Sequence, residues 1–262
     1  MDVFQSRWRS HSEFYWLRGT IRIIIPQERA GQPVGEAHRD AERELLRERL
    51  DRGGERCAKF VRHRSHRDAR ADQHGGHRRA GHRIDNRAAA KTMVNYLISL
   101  GHKRIGVISG LKDNPHAIDR LEGYKEALAE AGIPFEKDLI AEGDFTMWSG
   151  LNAAFQFCNM KVRPTAIFSM NDEMAIGAMQ TLKNQGIRIP EDMSVTGFDD
   201  IAYAKYSDPS LTTISQPAEE MGKMAMDMLL KVIEGEPLSQ RECVLPTEFI
   251  IRKSTGPLLA KK

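Results

Sequence analysis

From residue 84 onward the chain alternates two hydrophobic rhythms. Short, nearly unbroken apolar or β-branched runs at 105–109, 138–142, 166–170 and 193–198 are separated by longer segments in which apolar residues return every three or four positions. The first rhythm is that of a buried strand, the second that of an amphipathic helix. In 172–185, for example, Met174, Ala175, Ala178, Met179 and Leu182 recur at helical spacing. Helices are predicted over 86–100, 116–132, 149–160, 172–185 and 218–234. Asp85 stands where it can cap the first of them, and Gly101 and Gly186 stand where two of them end, because glycine accepts the left-handed C-terminal conformation without a Cβ penalty. A run at 211–215 leads toward the helix at 218–234, and a last strand is expected over 243–251. Strands joined by helical crossovers of this length build parallel sheets. The fold class is therefore α/β, an open twisted parallel sheet covered by helices on both faces.

In such sheets ligands bind beyond the carboxyl ends of the strands, and polar residues gather there in this chain. Asn171 directly follows the run 166–170 and opens the next helix; Asp199 and Asp200 follow 193–198. Asn171 can donate and accept at once, as a hydroxyl-rich ligand requires, or it can cap its helix, with Asp172 as the alternative cap. A carboxylate at Asp199 can accept from paired hydroxyls, while Asp200 is placed to cap or pin the following loop. Arg120, in an RLEG motif, carries five donors in a planar fork suited to paired hydroxyls or a carboxylate. A surface ion pair with Asp119 or Glu122 is its plain structural alternative. Phe145 follows the strand ending at Glu142 and offers a face to a sugar ring or base, or is simply core. The Met-rich segment 221–230 is an apolar stripe suited to core and dimer packing.

Residues 1–83 are written differently. They hold 18 Arg and 1 Lys against 12 acidic residues, a net charge of +7, whereas residues 84–262 hold 7 Arg and 13 Lys against 24 acidic residues, a net of −4. Seven of the nine His also lie before residue 84, many in RHRSHRDARADQHGGHRRAGHR at 62–83, and this text meets the well-patterned region without a linker. That is what a GC-rich gene yields when read in a shifted frame. A basic nucleic-acid-binding tail and an unfamiliar domain are the other readings. Within it IRIIIP, at 21–26, reads as a strand, and 35–50 contains a charged helical stretch. The 57 residues 27–83 show no second convincing strand, so no compact lobe is expected from them.

Several function classes drop out. No apolar run approaches the ~18 residues needed to cross a bilayer, and residues 1–20 lack the apolar core of a secretory signal, so a cytoplasmic protein without a membrane partner is expected. The three Cys, at 57, 158 and 243, form no CxxC or CxxH pairing, which argues against a disulfide framework or a structural zinc. With no Gly-rich phosphate loop, HExxH or GxSxG, neither an enzyme nor a cofactor or metal site is expected.

Six blocks carry a family resemblance: IDNRAAAKTMVNYLISLGHKRIGVISG at 84–110, DRLEGYKEALAEAGI at 119–133, EGDFTMWSG at 142–150, RPTAIFSMNDEMAIGAM at 163–179, LTTISQP at 211–217 and LPTEFIIRKST at 245–255. In order and spacing they resemble the effector-binding core of the lactose and galactose repressor (LacI/GalR) family of bacterial transcription regulators. The resemblance implies a type I periplasmic-binding-protein-like fold with an intact second lobe (84–215 and 243–255), a helix at 218–234 crossing back to an incomplete first lobe, a remnant first strand near 21–26, and a tail at 256–262. It implies that Arg120, Phe145 and Asp199 contact a small polyhydroxyl effector, a sugar or nucleoside, together with Asn171. Asn114 and His116 fall in the loop that varies with ligand, and Gln216 lies in a hinge-like segment near the cleft. A homodimer is implied as well. The family's helix-turn-helix for operator DNA is not recognised in residues 1–20. A periplasmic-type sugar-binding protein and a nonfunctional product of a frameshifted regulator gene are the alternatives.

Overall fold

The computed structural model of the chain describes residues 13–17, 20–24, 79–234, 236–237 and 242–258. In chain order its elements are β1 (Glu13–Leu17), β2 (Thr20–Ile24), β3 (Arg79–Ile84), α1 (Asn86–Ser99), β4 (Ile105–Ser109), α2 (Pro115–Glu130), β5 (Ile140–Glu142) and α3 (Met147–Cys158). They continue with β6 (Ala166–Ser169), α4 (Asp172–Asn184), β7 (Ser194–Thr196), β8 (Thr213–Ser215), α5 (Ala218–Glu234), β9 (Glu242–Leu245) and β10 (Glu248–Ile250). Single 3-10 turns lie at Lys137–Leu139 and Ala202–Lys205. The described residues fall into two units: β1, β2 and β3 with α5 and β9, and residues 84–217 with 246–258.

The second of these holds the site. Its sheet has the order β5-β4-β6-β7, and each pairing is parallel, as the alternation of strands and helices predicts. β4 and β6 are buried along their whole length, which is why their sequences are continuous apolar runs rather than alternating ones. The chain steps from β4 to β5 on one side and then returns to β6 on the other. The carboxyl ends of β4 and β6 therefore flank a topological switch point, the place where open α/β sheets take ligands. Helix α1 is capped by the Asp85 carboxylate on the Ala88 N–H, at 2.9 Å, and the expected glycine stop follows at Gly101, with φ +92°.

The last strand differs from the expectation of one run over 243–251. It is two strands, β9 and β10, separated by Pro246, which has no N–H to continue a ladder. β10 pairs antiparallel with β8, so the parallel sheet is accompanied by an antiparallel pair. β9 belongs to the other unit and its sheet, in the order β1-β2-β3-β9. There β2 matches the strand expected near 21–26, but it runs antiparallel to both β1 and β3 instead of opening a parallel lobe. β1 and β3 have no counterpart in the sequence reading, because EFYWL and RAGHRI lack a run of aliphatic residues. Helix α5 in this unit buries Met221, Ala225, Met228 and Leu229, a stripe at helical spacing. The charged helical stretch at 35–50, and residues 1–12 of the segment searched for a helix-turn-helix, lie outside the described residues.

Candidate functional site

Four loops leave the carboxyl ends of the parallel strands, at 110–114, 143–146, 170–171 and 197–201, and their polar groups meet in one network. At its centre is Arg120 on the second turn of α2, in phase with Gly123, Tyr124 and Ala127 on the buried face. Its guanidinium is 1% exposed. Nε donates to the Asn86 Oδ1 at 2.8 Å, Nη1 donates to the Met170 carbonyl, and the group lies 3.5 Å from the centroid of the Phe198 ring. The same Nη1 stands 3.5 Å from Asp199 Oδ1. The surface ion pair with Asp119 or Glu122 is thus replaced by a buried one, because the helical phase of residue 120 points it inward.

Asp199 sits in the left-handed region, at φ +112°, and its neighbour Asp200 at +52°. Gln216 Nε2 donates to Asp199 Oδ1 at 2.6 Å, so the side chain at 216 serves the carboxylate. Asp200 ion-pairs with Arg252 at 2.7 Å, the loop-pinning role expected of it. Phe145, also left-handed at φ +69°, is buried, and its ring fills the space beside Gly110. A Cβ on Gly110 would stand 2.1 Å from the Phe145 Cζ, so this close approach requires glycine.

Asn171 is the cap of α4, not Asp172: Oδ1 accepts from the Met174 N–H at 3.0 Å. Its Nδ2 donates to the Phe145 carbonyl at 2.9 Å, so one buried amide joins the loops after β5 and β6. Asn114 caps α2 by accepting from the N–H groups of His116 and Ala117. His116 is buried, with Nδ1 3.0 Å from the Asn86 Nδ2. Since Arg120 can only donate, the Asn86 amide must turn its oxygen to Arg120 and its NH2 to His116, whose Nδ1 is then the acceptor.

Three contributors were missed by the sequence reading: Asn86, Phe198 and Asp172. For two the signal was present. Asn86 lies in phase with Ala89, Ala90 and Met93, and Asp172 with Ala175 and Met179, so each is a polar residue on an apolar helical face. Asp172 is fully buried; Oδ1 accepts from the Thr213 hydroxyl at 2.6 Å and Oδ2 from the Ile201 N–H at 2.8 Å. Burial pushes its carboxyl up to about 7, against the downward pull of the Thr213 bond and with a further push from Asp199. A separate cleft of about 310 Å³, lined by residues that include Lys103, Arg104 and Glu136, contains none of these residues and lies at the amino end of the sheet. Among the described residues no group of three or more His, Cys, Asp or Glu is arranged to hold a metal ion.

Comparison with known proteins agrees with this architecture. The periplasmic binding protein-like domain family matches residues 94–255. The HTH-type transcriptional repressor CytR of Escherichia coli K12 is 44% identical over 175 residues, which cover 67% of this chain and 51% of the repressor. The solved structure of a LacI family transcriptional regulator from Enterococcus faecium with bound ribose superposes with a TM-score of 0.63 at 32% identity, covering 68% of this chain and 66% of that one. The chain belongs to the LacI/GalR family. Its described core is the family's effector-binding region, and the chain spans about half the length of the curated relatives it matches. A second LacI/GalR relative of known structure, the transcriptional regulator CelR in complex with cellobiose, is 35% identical with a TM-score of 0.63, over 66% of this chain and 53% of that one. These relatives are transcriptional regulators, and no helix among the described residues of this LacI/GalR core is long and apolar enough to cross a membrane.

Proposed function

We propose that residues 84–258 sense a small neutral polyhydroxyl effector, a sugar or nucleoside, by accepting its hydroxyls at Asp199. The observation that carries this reading is the buried Arg120 set against the Asp199 carboxylate at the switch point of the sheet. A carboxylate has about four lone-pair sites, and Arg120 and Gln216 both address Oδ1, which orients the group rather than neutralising its whole accepting capacity. Arg120, Asn171 and Phe145 are at least 94% buried, so in this reading they build and stiffen the rim while Asp199 and Gln216 reach outward. Asn114 and His116 shape the adjoining loop. The bound cellobiose and ribose of the two relatives are polyhydroxyl molecules of the class proposed.

The core works without catalysis: a ligand that prefers one arrangement of the regulator shifts its population toward that arrangement. Operator binding, homodimerisation and a cytoplasmic location belong to the reading as properties of the whole regulator. Titration calorimetry of the full chain against ribose, cellobiose and the four common ribonucleosides tests the effector. Binding of at least one of them, lost in Asp199→Ala, is the expected result. Binding that survives Asp199→Ala removes this residue from the site. Size-exclusion chromatography with light scattering tests the dimer.

A further inference from the structure

Phe198 and Ile201 bracket the two acidic residues of the 197–201 loop, and both are fastened to Asp172. The Asp172 N–H donates to the Phe198 carbonyl at 2.8 Å, and its carboxylate accepts from the Ile201 N–H at 2.8 Å. Between these fastenings Asp199 and Asp200 take left-handed backbone conformations, uncommon for residues with a side chain. Such a conformation persists when its surroundings over-determine it. The approach is close enough that a Cβ on Gly197 would stand 2.1 Å from Asp172 Oδ1. We propose that Asp172 is a positioning residue of the effector site, which sets the Asp199 carboxylate by clamping the loop on both sides of it. The inference rests on the reading of Asp199 as the effector contact.

The chemistry of the clamp explains why a carboxyl group serves there. The Ile201 N–H can only donate, so Oδ2 must accept in every protonation state. The Thr213 hydroxyl can donate to Oδ1 or accept a hydrogen bond from it. Both forms of Asp172 therefore keep both bonds. The charged groups on the neighbouring loop are Asp199 and Asp200, which are paired with Arg120 and Arg252. With the carboxyl raised to about 7, the clamp passes through neutrality without opening. Asparagine reproduces the protonated form, its oxygen toward Ile201 and its NH2 toward Thr213, whereas alanine keeps only the backbone bond to Phe198.

Two measurements on the full chain test this: amide hydrogen exchange without ligand, and calorimetry against ribose and the four common ribonucleosides. Asp172→Ala is expected to speed exchange at Asp199 and Ile201 while Ile108 and Phe168 stay protected, and to weaken binding roughly tenfold or more, the scale of one lost charge-assisted hydrogen bond. Asp172→Asn is expected to stay close to the parent chain in both. Thr213→Val, which leaves the Ile201 bond in place, provides a milder variant if alanine does not fold, and exchange at Ile201 should rise in it by a smaller factor. Unchanged exchange at Ile201 in the variant that folds, an equal loss in Asn and Ala, or a uniform loss of protection across the sheet overturns the proposal. If Asp199→Ala leaves binding intact, the effector reading fails separately, and the ligand-free exchange still decides the clamp.

Discussion

The two ends of the parallel sheet bury polar side chains in opposite ways. At the amino end His102 lies between the hydroxyls of Thr165 and Ser194, each 3.0 Å away, with the Gly256 carbonyl at 3.1 Å. Those partners are neutral, and none of their residues is a non-glycine at positive φ. At the carboxyl end the charged side chains of Arg120, Asp172 and Arg252 are bonded or ion-paired to the loop that carries Asp199 and Asp200. The three non-glycine residues with positive φ among those described, Phe145, Asp199 and Asp200, all lie there too. A neutral network stitches the segment around Gly256 to the sheet and asks nothing of the backbone. A charged one held in an uncommon conformation is costly to maintain, and such clusters gather where a ligand is bound.

The strongest way to break this contrast is at Arg120. Arg120→Met takes the buried cation from beside the Asp199 carboxylate and the Arg120 donors from the Met170 carbonyl and the Asn86 oxygen, and should cost about 3–5 kcal/mol in urea unfolding. Asp199→Ala should lower effector affinity by about 2–5 kcal/mol in calorimetry, and should also lower the unfolding midpoint, because the buried Arg120 cation loses its carboxylate. At the other end His102→Leu should cost about 1–3 kcal/mol of stability by removing the ring that is bonded to Thr165, Ser194 and Gly256, and leave ligand affinity unchanged. A loss of affinity there would erase the distinction between the ends. Asp200→Ala removes one partly exposed ion pair with Arg252, so about 1 kcal/mol of stability and no affinity should be lost.

The shape of the pH profile sharpens the contrast further, because the two ends bend it in opposite directions. Asp172 is raised from 3.8 to about 7 in the folded chain, so the fold holds its proton more tightly than the unfolded chain does. Its contribution is fully present below pH 3.8 and is lost as pH rises toward 7. His102 is lowered from 6.5 by burial, against the raising effect of its hydrogen bond to the Gly256 carbonyl, so its contribution is present above 6.5 and is lost as pH falls. Denaturant melts from pH 4 to 8 should show Asp172→Asn losing the decline toward neutrality, while His102→Leu loses part of the decline on the acid side. The same profile in all three proteins contradicts both assignments.

Much of the site was legible from position alone. Asn171 and Asp199 could be placed at strand ends because each follows a buried run, and Arg120 could be singled out by its motif. Their partners could not, since the chain separates Arg120 from Asn86 by 34 residues and Asp199 from Gln216 by 17. Burial was not legible either. His116 and Arg120 have side chains that suit a surface, and only the inward phase of α2 and the Asn86 amide bring them inside.

Periodicity along the chain determined the α/β class, the parallel order of elements between β4 and β7, and the caps at Asp85 and Asn171. These depend on residues a few positions apart, and short-range spacing is what a sequence states directly. The tertiary structure decided the rest: that Pro246 divides one apolar run between two sheets, that β2 is antiparallel to its neighbours, and that the 197–201 loop is bonded to Asp172 as well as through Asp200 to Arg252. Each of those depends on which distant donor finds which acceptor. A buried polar group must find a partner, but only the packed fold says which one stands within reach.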